Sequence, residues 1–93
     1  MRARKNRSSR SRNPRNMEGV ASLASLHEGD VGEVVYTVGG FGLVRRLAEM
    51  GLTPGVEIKV LRKGPFRGPF EIEVRGVALA LGRGVASKVF VRR

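Results

Sequence analysis

Apolar residues recur along the chain with two different periods, and the changes between them mark its elements. From Val31 to Val38, Val34, Tyr36 and Val38 alternate with Val35 and Thr37, a β-branched and aromatic mix that predicts a strand. Gly39-Gly40-Phe41-Gly42 interrupts it. The spacing then changes: Leu43, Leu47 and Met50 fall at i, i+4 and i+7, Val44 and Ala48 widen the stripe, and Arg45, Arg46 and Glu49 lie opposite. Gly51 sits where a glycine ends a helix, and Pro54 follows where the helix cannot resume. The run Gly42–Gly55 therefore predicts one helix of about three turns between extended segments.

Period two returns after the helix. Val56, Ile58 and Val60 alternate with Glu57 and Lys59, and Phe70, Ile72 and Val74 alternate with Glu71, Glu73 and Arg75, which predicts a hairpin. Three registers keep inward residues opposite inward residues. One sets Lys59 against Arg75 and another Glu57 against Glu73, whereas the third pairs Lys59 with Glu73 and Glu57 with Arg75. Opposed charges across a pair contribute ~0.2–1 kcal/mol and like charges cost similarly. The third register is predicted, with Ile58 facing Val74 and Val60 facing Ile72. Seven residues, Lys63–Pro69, then bridge the hairpin as an exposed loop with little internal hydrogen bonding.

Ser22-Leu23-Ala24-Ser25-Leu26 reads as a single capped helical turn that docks Leu23 and Leu26, and His27-Glu28-Gly29-Asp30 as a turn into the first strand. Gly76 ends the hairpin, Val77–Leu81 supplies a short strand, Gly82 and Gly84 frame a tight turn, and Val89-Phe90-Val91 makes the last strand. About five short antiparallel strands with Gly-rich corners and one short helix after the first strand predict an all-β fold. A strongly bent small barrel fits better than an open sheet, because curling removes edges. So modest a core makes partner docking or self-association an expected feature.

Composition divides the chain. Residues 1–16 carry seven basic and no acidic residues and almost nothing able to enter a core, so they read as a disordered basic arm. Residues 17–93 carry eleven basic and eight acidic residues, so the net charge of +10 splits into +7 and +3 and the predicted domain is only mildly basic. Met17 stands where the basic run ends and is a second candidate start of translation. The arm lacks the apolar face of a transit peptide and the apolar stretch of a secretory signal, and no run is long enough to span a bilayer. With no cysteine, disulfides and thiolate metal sites are excluded. A cytoplasmic domain held by its apolar core is expected.

Candidate chemistry is sparse. Gly39-Gly40-Phe41-Gly42 between a strand and a helix invites a phosphate-loop reading, but the third glycine of the dinucleotide pattern would fall at Arg45 and no Lys-Ser/Thr pair follows. A backbone hinge is the better reading, with Phe41 in it as core plug or exposed anchor. His27, Glu28 and Asp30 form the one cluster of metal-ligand types, yet a single imidazole with two carboxylates is a deficient iron site, and Asp30 suits turn chemistry. Neither a Cys–His nor a Ser–His–Asp set is identifiable, which argues against an enzyme.

Several blocks together resemble the FeoA family, ferrous iron transport protein A, over about Ser22–Val91. They are Ser22-Leu-Ala-Ser-Leu26 with Gly29-Asp30-x-Gly32, then Arg46-Leu47-Ala48-Glu49-Met50-Gly51-Leu52-Thr53-Pro54-Gly55, the loop Pro65-Phe66-x-Gly68-Pro69, and Arg75-Gly76. The resemblance implies an SH3-like barrel serving as a non-catalytic accessory to a ferrous iron permease (FeoB-type), which spans the inner membrane and carries a GTP-binding domain on its cytosolic side. It implies no cofactor, only an association with ferrous iron through the family. A related domain ends some metal-dependent repressors, so a stand-alone metal-responsive regulatory domain is an alternative.

On that footing Phe66 and Phe41 become candidate apolar anchors, and Arg45, Arg46 and Arg67 candidate partners for carboxylates on the permease, since aromatic and Arg residues dominate interface energetics. Arg62 and Lys63 join this patch if the helix and the hairpin loop lie on the same side. The rival class is an RNA-binding SH3-like module whose basic arm adds phosphate affinity, although one Tyr and four Phe give no regular stacking series along a strand.

Overall fold

The computed structural model describes residues 18–93, so the basic arm and Met17 lie outside the described residues. Six strands form one antiparallel sheet: β1 (Val20–Ser22), β2 (Val31–Thr37), β3 (Glu57–Lys63), β4 (Phe70–Val74), β5 (Val77–Leu81) and β6 (Val89–Arg92), in spatial order β1-β6-β2-β3-β4-β5. Helix α1 (Phe41–Glu49) follows β2, and a four-residue helix α2 (Arg83–Ala86) joins β5 to β6. The sheet bends as an SH3-like barrel around one cluster in which Leu23, Leu26, Val60, Phe70, Ile72 and Val91 are completely buried. The strand count is six rather than five. β1 is only three residues long, too short to show alternation, and is held by pairing Val20 with Arg92 and Ser22 with Phe90.

The β3–β4 register is the charge-matched one, with Ile58 opposite Val74, Lys59 opposite Glu73 and Val60 opposite Ile72. Beyond Val60 a bulge at Leu61 shifts the pairing so that Arg62 faces Glu71. Simple alternation would have turned Arg62 inward, where an unpaired charge costs several kcal/mol, roughly, to bury. One extra residue turns it outward instead, 4.0 Å from the Glu71 carboxylate. A second bulge at Val35 in β2 changes parity likewise, placing Tyr36 beside Phe90 with ring centroids 4.9 Å apart and Thr37 opposite the buried Val89. The alternation of Val34, Tyr36 and Val38 with Val35 and Thr37 is therefore broken at the bulge, and Val38 leaves the ladder to donate its N–H to the Lys88 carbonyl at 2.8 Å.

Helix α1 ends as its sequence requires. Gly51 has φ +94, and its N–H donates to Ala48 O at 3.0 Å while Leu52 N–H donates to Leu47 O at 2.9 Å, a Schellman motif sealed by the buried pair Leu47 and Leu52. Its buried stripe is narrower than the sequence suggests: Leu43, Leu47 and Met50 face the core, whereas Val44 and Ala48 remain exposed. The predicted turn at Ser22–Leu26 is a 3-10 turn over Leu23–Ser25, capped by Ser22 Oγ accepting the Ala24 N–H at 3.1 Å. The Ser22 hydroxyl also donates to the Ser87 carbonyl at 3.2 Å, tying this turn to the end of α2. Where a tight turn was expected at Gly82–Gly84, the chain makes α2.

Candidate functional site

Among the described residues, the most exposed large apolar side chain sits at the tip of the β3–β4 hairpin. Six residues connect the strands, and the tip is bonded internally, contrary to the expectation of a loop with few such bonds. Gly64 N–H donates to Pro69 O at 2.8 Å and Gly68 N–H to Pro65 O at 2.9 Å. The second bond closes a tight turn whose central residues, Phe66 and Arg67, have φ +54 and +63. Non-glycine residues in that region cost of order 1 kcal/mol each, and the conformation persists because the base of the loop over-determines it. A Cβ on Gly64 would lie 2.7 Å from Pro69 O, so only glycine permits that closure. Phe66 is thereby presented with 100% of its surface exposed.

Cations surround the base of this tip. Lys63 Nζ lies 5.2 Å from the Phe70 ring centroid and the Arg83 guanidinium 4.9 Å from it, so the buried ring carries two cation–π contacts. Lys63 N–H donates to Glu28 Oε2 at 3.1 Å, joining the turn before β2 to the hairpin. Arg67, beside Phe66, is exposed.

Helix α1 lies elsewhere. Phe41 is 80% exposed at its start, which makes it an exposed residue and not a core plug, and Arg45 and Arg46 are exposed on its outer face, with Arg45 Nε 3.6 Å from Glu49. The helix leaves β2 beyond Thr37 and returns at Gly51, where an added Cβ would meet Val74 at 3.6 Å, the end of the hairpin opposite the tip. β3 runs for seven residues between these ends, ~20 Å of extended chain. Phe66 and Arg67 thus form one surface, with Arg62 and Lys63 near it, while Phe41, Arg45 and Arg46 form another. Residue types alone could not have separated them, because the separation follows from the direction in which β2 hands the chain to α1.

The His27–Asp30 turn shows how its candidate ligands are engaged. Asp30 Oδ2 accepts the His27 N–H at 2.8 Å and lies 3.3 Å from the Arg93 guanidinium and 3.7 Å from His27 Nδ1. The backbone hydrogen bond from His27 is the main reason that the Asp30 carboxyl titrates below its ordinary value; partial burial opposes this and the Arg93 charge adds to it. The Glu28 carboxylate is turned to the Lys63 N–H. Among the described residues no three His, Asp or Glu side chains are grouped to hold a metal ion, and no helix is long and apolar enough to cross a membrane.

The described residues thus form a small SH3-like barrel with an exposed aromatic hairpin tip. The FeoA domain model matches residues 21–93, and the chain belongs to the FeoA domain family. It is similar to a candidate Fe(2+) transport protein A of Methanocaldococcus jannaschii, with 40% identity over 52 residues, which span 56% of this chain and 61% of that relative's length. A crystal structure described as iron uptake regulatory protein FeoA superposes with TM-score 0.72 at 44% identity, covering 78% of this chain and 95% of that one. A manganese-dependent transcriptional repressor superposes with TM-score 0.73 at 22% identity over 78% of this chain and 41% of its own, a likeness of fold alone. FeoA is a transport accessory family tied to Fe(2+) transport, not an enzyme family.

Proposed function

We propose that this chain is a non-catalytic accessory of ferrous iron uptake. It docks on the cytosolic GTP-binding part of a ferrous iron permease and so works in the cytoplasm, peripheral to the inner membrane. The family supplies the iron link. The observation that carries the docking surface is Phe66, wholly exposed on a tip whose backbone is held in a costly conformation to present it. Beside it Arg67 supplies a charge for a carboxylate on the partner, and an aromatic with an arginine is the usual composition of an interface hot spot. Phe41, Arg45 and Arg46 make a second, separate contact surface for the same partner. The domain that performs this is residues 17–93.

Calorimetric titration of the chain into the permease's cytosolic part tests the assignment. Phe66→Ala with Arg67→Ala is expected to weaken binding about tenfold or more, roughly 1.4 kcal/mol, while the melting temperature stays within about 2 °C. Phe41→Ala with Arg46→Ala, on the other surface, is expected to weaken it less. Unchanged affinity in the first variant removes the tip from the interface, and no heat with the unaltered chain removes the partner.

A further inference from the structure

One edge of the sheet is left open in a form suited to a second copy of the same chain. β5 pairs with β4 alone, Val77 opposite Val74 and Leu81 opposite Phe70, and it ends the strand order. The connecting turn is two residues, Arg75 and Gly76, both at positive φ (+53 and +81). Such a turn makes Val74 and Val77 a hydrogen-bonded pair, and the alternation of an antiparallel ladder makes the next such pairs those of Leu79 and Leu81. Ala78 and Ala80 therefore turn their N–H and C=O groups away from β4. Both residues are exposed, and no backbone partner takes these groups among the described residues.

Edge strands ordinarily carry a charge, a proline or a bulge that discourages pairing with another chain. Val77-Ala78-Leu79-Ala80-Leu81 has none, and its register with β4 is unbroken. The inward row at this edge is also incompletely covered: Val77 is 57% exposed and Leu79 half-buried. We propose that β5 pairs antiparallel with β5 of a second copy, joining two sheets into one across a twofold axis at Leu79. Setting Ala78 against Ala80 of the other copy uses every outward N–H and C=O of the two alanines. The same register puts Leu79 on Leu79, Val77 on Leu81, and Gly76 against Gly82, so apolar meets apolar and the strand ends meet without side chains. An interface in which the same patch serves both copies closes as a dimer and does not propagate.

The choice of a second copy, over a strand from another protein, rests on this self-complementarity and on the absence of charged side chains within Val77–Leu81; Arg75 and Arg83 lie just beyond the paired segment. The test is sedimentation equilibrium of the full chain from about 10 μM to about 1 mM, with amide hydrogen exchange at Ala78 and Ala80. The mass is expected to rise with concentration from 10.1 kDa towards twice that value, with exchange of the two amides slowed about tenfold or more. Ala80→Pro removes the outward donor, and Ala78→Lys with Ala80→Lys adds four like charges across the axis; both sets alter exposed, outward positions. Each is expected to hold the mass at 10.1 kDa with an unchanged circular dichroism spectrum. A monomer at every concentration overturns the proposal, and protected amides in that monomer would assign the edge to another segment of the same chain. Doubling that survives in both variants overturns it too, by placing the contact on another face.

Discussion

Asp30 shows how one side chain can define a turn and leave a measurable trace. Its carboxylate accepts the His27 N–H at 2.8 Å and faces Arg93 at 3.3 Å, and its carboxyl titrates below its ordinary value. A carboxyl depressed in the folded state stabilises the fold at pH above its unfolded value, and that contribution is lost as pH falls through the folded value. Asp30→Asn is expected to lower the melting temperature at about pH 7, with the gap to the unaltered protein narrowing from about pH 4.5 downward. Melting curves at about pH 7, 4 and 2.5 check this. A gap that stays constant to the lowest pH would assign the loss to turn geometry and not to ionisation. The turn role of Asp30 was legible, since Gly29-Asp30 before a β-branched run is turn chemistry; Arg93, sixty-three positions away, carried no signal in the local pattern.

At the scale of elements, the hairpin shows what charge patterning specifies and what it leaves open. Lys59 against Glu73 selected the register because the alternative registers oppose like charges. The bulge at Leu61 was hidden, although Arg62 falling on the inward parity marks where alternation fails. The tip was hidden too, because two residues at positive φ without glycine contradict ordinary turn preference and hold only through the bonds beneath them. Those bonds require Gly64. In Gly64→Ala the new Cβ would stand 2.7 Å from Pro69 O and 3.0 Å from the Gly68 carbonyl carbon, backbone atoms that yield only if the tip opens. A loss of about 1–3 kcal/mol is expected, read as a lower urea midpoint with an unchanged m-value. A wild-type midpoint would show that the closed tip contributes nothing to the fold, and with it the reason for Phe66 to be held outward would disappear.

For the molecule as a whole, charge is unevenly placed along the sequence, with residues 1–16 holding seven basic and no acidic residues. Every buried apolar side chain among the described residues falls between Leu23 and Val91, and β1, the strand nearest the arm, is secured after residue 17 by its pairing to β6 and by Arg93 N–H donating to Gly19 O at 3.2 Å. The barrel class was legible because short strands, glycine corners and one capped helix agree with one another. Which end of the barrel receives the helix was not, since that depends on how β2 leaves the sheet and on no local pattern. A chain beginning at Met17 keeps all of these contacts while its net charge falls from +10 to +3. Its melting temperature is expected to stay within about 2 °C of the longer chain. Any affinity for RNA is expected to lie with residues 1–16, because a sequence-independent phosphate attraction follows the count of cations and weakens with salt. Melting curves of both chains, with RNA titrations at low and high salt, separate the two contributions. A large drop in melting temperature on shortening would give the arm a structural role, and RNA affinity retained by residues 17–93 would move the binding face onto the barrel.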